Sequence, residues 1–139
     1  MKKTILVVFL FAFLGCSEEV PKKDLPNLNG YWEIEQVIFP DGTTKEYTVS
    51  TTVDYIELNE TEGFRKKVRP QFNGTYETSH DAETFSISKK DDTFIMHYKT
   101  GLSEWSENLV ALNGNTFSVV NEEGLRYDYR RFEPIVVQK

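Results

Sequence analysis

The sequence predicts an all-β fold, an antiparallel up-and-down β-barrel of about 8 to 10 strands. Three observations carry that expectation. From Leu28 to about Glu133 the chain is a succession of short runs in which apolar and polar residues alternate, as half-buried strands require. The runs are separated by clusters of Gly, Asn and Asp, several of them only three residues long, which is the chemistry of tight hairpins. Consecutive hairpins make a meander, and a meander of this length closes most economically on itself, because closure removes the exposed edges of an open sheet.

The residues before the barrel have another character. Met1-Lys2-Lys3 is a basic head and Ile5 to Leu14 an apolar run, a pattern that matches a signal peptide over residues 1–15 and falls short of the roughly 20 helical residues that span a bilayer. Phe13-Leu14-Gly15-Cys16 resembles the lipobox of bacterial lipoproteins. The resemblance implies that Cys16, the only cysteine, becomes the lipidated first residue of the mature chain. A thioether diacylglycerol and an N-acyl chain such as palmitate would supply several acyl chains, each buried methylene contributing about 0.8 kcal/mol. Ser17-Glu18-Glu19 is similar to the acidic tag that sends some Gram-negative lipoproteins to the outer face of the outer membrane; an ordinary solvated linker is also acidic. Residues 16–26, polar with two prolines, read as the lipidated Cys and a flexible tether. The barrel domain is expected at 27–133 and a C-terminal tail at 134–139.

Within the barrel the first strand runs from Tyr31 to Phe39 and ends at Pro40-Asp41-Gly42; a second covers about Lys45 to Val49; a third, Val53 to Leu58, ends at Asn59 to Gly63. Then follow Phe64 to Val68, Gly74 to Thr78, Thr84 to Ser88, Thr93 to Lys99, Trp105 to Leu112, Thr116 to Asn121 and Leu125 to Phe132. Lys90-Asp91-Asp92, Asn113-Gly114-Asn115 and Glu122-Glu123-Gly124 separate the later runs.

Period-2 sorting names an interior. In the first strand it groups Trp32, Ile34, Gln36 and Ile38. Elsewhere it groups Phe94 with Met96 and Tyr98, Trp105 with Leu109, Phe117 with Val119, and Tyr127 with Tyr129. So aromatic an interior serves either as a solid core or as the wall of a ligand cavity.

Gly30-Tyr31-Trp32 resembles the Gly-x-Trp motif of lipocalins, and Tyr127-Asp128-Tyr129-Arg130-Arg131 is similar to the ending of bacterial lipocalin-like lipoprotein domains. The resemblance implies that Arg131 of the last strand packs over Trp32 and closes one end of the barrel, with Gly30 beside them.

Charge narrows the partners. The full chain has 16 Lys and Arg against 22 Asp and Glu, and losing Lys2 and Lys3 leaves a mature net charge of −8, which argues against nucleic acid. His80-Asp81-Ala82-Glu83 lacks a second cluster at ligand spacing and reads as a solvated turn, so no metal is expected. No cofactor is expected either. With Cys16 committed to lipid, no nucleophile and base are in view, and Glu33 and Glu35 read as surface carboxylates, so the chain reads as a non-enzyme. Arg65, Lys67 and Arg69 share one strand face, read as an outer strand guarded by charge or as a surface for an anionic glycan or headgroup.

Two functions stay open. One is a membrane-anchored envelope carrier that holds a small hydrophobic ligand between Trp32, Phe94, Trp105 and Tyr127, with Gln36 as a polar handle inside. The other is a solid barrel that binds an envelope protein or glycan through its outer face or loops.

Overall fold

The computed structural model describes residues 19–48, 51–78 and 81–134. Cys16 and the signal segment, His80, and all of the expected tail except Pro134 lie outside these residues. A 3-10 helix (Lys22–Leu28) is followed by β1 (Gly30–Ile38), β2 (Thr44–Glu46), β3 (Val53–Asn59), β4 (Glu62–Pro70) and β5 (Tyr76–Thr78). β6 (Glu83–Lys90), β7 (Thr93–Lys99), β8 (Glu104–Leu112), β9 (Thr116–Asn121) and β10 (Arg126–Arg131) complete the chain.

Every strand pairing is antiparallel. The neighbours run β10-β9-β8-β7-β6-β4-β3-β1, and β1 pairs again with β10, so eight strands close into a barrel. β2 extends from the second half of β1 and β5 from the second half of β4. Local chemistry sets the hairpins. Between β6 and β7 the turn is only two residues, Asp91 and Asp92, both left-handed at φ 49° and 64°, the geometry that matches strand twist. Lys90, expected in that turn, pairs instead with Thr93 as the last residue of β6.

Because the chain goes up and down, its turns divide between two ends. The β3–β4, β6–β7 and β8–β9 turns share one end with the 3-10 helix. The β1–β2, β7–β8 and β9–β10 turns share the other. The interior holds Trp32, Ile56, Met96, Phe117 and Val119, each fully buried.

Two expectations are corrected here. The tether drawn over residues 16–26 is not free along its length. Val20, Leu25 and Leu28 are buried in the core cluster, and the 3-10 helix lies against β3 and β8. These apolar residues cover the end of the barrel, a task with no strand or helix period for the sequence to display. The second correction concerns Gln36. The β1–β10 register shifts between Ile34 and Gln36, so Glu35 forms a bulge and the alternation slips by one residue. Val37 then turns inward, 6 % exposed. The Gln36 amide instead donates to Asp128 Oδ2 at 2.7 Å, on the face of β10 opposite Tyr127 and Tyr129.

Candidate functional site at the open end of the barrel

The two ends of the barrel differ. At the helix end Trp32 Nε1 donates to the Leu28 carbonyl at 2.8 Å, and its ring meets Phe117 edge-on, 4.7 Å between centroids. Arg131 lies over the indole with Cζ 4.1 Å from the ring centroid. Its guanidinium donates to the carbonyls of Gly114, Asn29 and Asn27 at 2.7, 2.9 and 2.7 Å. Gly30 has φ 122°, and a Cβ there would stand 2.5 Å from Arg131 Nη1, so this position needs glycine twice over. The end is plugged.

At the other end the barrel holds an open cavity of about 520 Å³. Trp105 and Tyr127 are in its wall, as are Asp54, Arg65, Glu107 and Tyr129. Trp105 stacks on Tyr98 with 5.3 Å between ring centroids. The floor is an ionic cluster. Arg65 Nη2 donates to Asp54 Oδ2 at 2.9 Å and Nη1 to the Tyr98 hydroxyl at 3.3 Å. The guanidinium also lies 4.9 Å from the Tyr129 ring centroid. Lys67 Nζ holds the other Asp54 oxygen at 2.7 Å, and Glu107 stands 3.9 Å from Arg65 Nη1.

Burial and charge set the protonation of this cluster. Burial alone would raise the Asp54 carboxyl, but Arg65 and Lys67 outweigh it and hold Asp54 below the ordinary carboxylate range. At Glu107 burial wins. Arg65 is the chief influence against it and the Tyr98 hydroxyl also opposes it, Glu83 and Asp54 add to it, and the carboxyl is pushed up. Burial likewise raises the Tyr98 and Tyr129 hydroxyls.

The candidate ligand residues therefore part company. Trp105 and Tyr127 reach the cavity. Trp32 belongs to the plug, Phe94 is core packing at 6 % exposure, and Gln36 is outside. Arg65, expected on an outer face, is 7 % exposed and points into the barrel. His97 is exposed on β7, bridging the Ser88 and Ser106 hydroxyls. Glu33 is bonded to Arg130 at 2.7 Å. Asp54 and Glu107 were missed, Glu107 despite a signal in its own strand and Asp54 because only strand pairing places it. Glu107 lies midway between Trp105 and Leu109 on one period-2 face, and the β3–β4 register sets Asp54 opposite Lys67 and Ile56 opposite Arg65.

A family model described as a lipocalin-like domain matches residues 28–119. The chain belongs to the lipocalin-like domain family. Among solved structures, this lipocalin-like barrel is similar to a lipocalin-like protein from Bacteroides uniformis at 13% identity, covering 76% of this chain and 99% of that one, with a TM-score of 0.48. An uncharacterised protein from Bacteroides eggerthii matches at 15% identity, with the same coverages and a TM-score of 0.47. A redesigned β-barrel matches at 15% identity over 77% of this chain and 93% of that one, with a TM-score of 0.42. No curated protein matches the chain.

Proposed function

We propose that this lipocalin-like protein is a lipid-anchored binder of the cell envelope that holds a small molecule in the open end of its barrel, without acting as an enzyme. The asymmetry of the barrel carries this reading. One end is plugged by Trp32, Arg131 and the 3-10 helix, while the other keeps a cavity of about 520 Å³, a size typical of small-molecule sites. The lipobox at Cys16 supports the anchor, and the acidic residues after it support outer-membrane placement. Because two aromatic walls stand over an ionic floor, the ligand is amphiphilic rather than purely hydrophobic. Native mass spectrometry of the purified protein tests the reading: a small molecule should survive gentle ionisation and leave on activation. If none is retained, and soluble amphiphiles produce no heat on titration, the carrier reading falls.

A second reading has its own support. On the outside, Tyr31 stacks on Tyr76 with 4.0 Å between centroids, and Tyr76 meets Phe132 at 6.4 Å. A groove of about 440 Å³ beside them is lined by Arg69, Phe72 and Phe132, and Phe72 is 89% exposed. This surface suits an envelope protein or a glycan. Phe72→Ser should weaken such docking and leave the cavity unaffected.

A further inference from the structure

We propose that the open-end cavity selects an organic ammonium carried on an apolar body, its charge set against Glu107 and its body against Trp105 and Tyr127. The proposal rests on the cavity being a small-molecule site and assigns that site its class of ligand.

The allocation of charge inside the cavity argues for a cation. Asp54 engages both neighbouring cations, Arg65 at 2.9 Å and Lys67 at 2.7 Å. Arg65 spends its other terminal nitrogen on Tyr98 at 3.3 Å, and its face lies against Tyr129. An incoming anion would have to compete with these contacts. Lys66, the third basic side chain of the lining, leans over the Tyr55 and Phe64 rings at 5.8 Å from each centroid. Glu107 is placed differently. Its side chain is 11% exposed; the Tyr98 hydroxyl is a polar partner, but its cation, Arg65, stands at 3.9 Å, beyond hydrogen-bond reach. Glu83 and Asp81, both exposed, line the same cavity, so four carboxylates face three basic side chains in its lining.

The second observation is aromatic. Trp105 and Tyr127 line the cavity together with Glu107, and electron-rich ring faces beside a carboxylate are what an ammonium is recognised by. Burial raises the Glu107 carboxyl, and Arg65 and the Tyr98 hydroxyl offset that only in part. A ligand ammonium supplies a close cation, and its apolar body gains the rings.

Three probes with one body and three heads test this on the full-length purified protein by calorimetry: 4-phenylbutylammonium, 4-phenylbutanol and 4-phenylbutyrate. The ammonium should bind at least about tenfold more tightly than the alcohol, a difference of about 1.4 kcal/mol, and the carboxylate should bind least. Glu107→Gln should erase the advantage of the ammonium over the alcohol. Equal affinity for the three heads overturns the ammonium proposal and leaves the small-molecule site standing. Tightest binding of the carboxylate also overturns it, since Arg65 and Lys67 would then be the anchor. Binding of none overturns both this proposal and the carrier reading. If Glu107→Gln fails to fold, the three heads on the unaltered chain decide the matter.

Discussion

Glu107 keeps a carboxyl in a place that resists its charge, and the effect on stability has a definite sign. A carboxyl with a raised folded pKa binds its proton more tightly in the folded chain than in the unfolded one, so it costs stability above the raised value. Glu107→Gln should therefore raise Tm at pH 7 by a few degrees, at ~4–8 °C per kcal/mol for a domain of this size. The gain should fade as pH falls through the raised pKa toward the ordinary value of 4.5. Asp54 behaves in the opposite way. Its contribution is present above the unfolded pKa and is lost as pH falls through the lowered folded one. Asp54→Asn should cost about 3–5 kcal/mol in denaturant unfolding, because it leaves Arg65 buried without its closest counter-charge. At the plugged end Trp32→Ala should cost about 3–5 kcal/mol and Arg131→Ala less. With Arg131 Cζ 4.1 Å from the ring centroid, a double-mutant cycle should return a coupling energy; purely additive losses would contradict the stacking. Trp32 and Arg131 were legible because a motif marks each. Arg65 was not, since period 2 says that Arg65 and Lys67 share a face without saying which face is inside.

Among the elements, the strands were the most legible and the irregular pieces the least. Ten alternating runs predict ten strands, and the errors fall at their ends: β2 is Thr44–Glu46 where about Lys45 to Val49 was expected, Val49 lying outside the described residues, and β4 is Glu62–Pro70 rather than Phe64 to Val68. Pairing with a neighbour, which no single run displays, sets those ends. The Glu35 bulge was illegible for a related reason. A bulge is a property of two paired strands, and it alone decides whether Gln36 or Val37 faces inward. The 3-10 helix offers the sharpest test at this scale. Leu25 is 2 % exposed, so Leu25→Ala should lower stability by about 2–4 kcal/mol, in the range for a buried leucine. A free tether would register no change.

For the whole molecule, closure was readable from the count of hairpins, whereas the polarity of the cavity required three strands to be brought together. Asp54 comes from β3, Arg65 from β4 and Glu107 from β8, and nothing local to any of these strands announces the other two. The proposed membrane attachment would belong to the entire chain rather than to the barrel. Cys16→Ser should leave an unlipidated precursor that no longer partitions with membranes while the barrel still folds; a variant that stays membrane-bound after a high-salt wash would point to a retained apolar span instead.

The burial of Val20 bears on how the cavity is supplied. Val20 is 7 % exposed at the plugged end, so the chain from Cys16 to that fixed point measures at most about 14 Å when extended. If Cys16 carries lipid, so short a mooring draws the plugged end toward the headgroups and turns the mouth outward. Cargo would then arrive through water or from a facing protein rather than out of the leaflet, and its aqueous solubility, more than its partition into lipid, would set how fast the barrel fills.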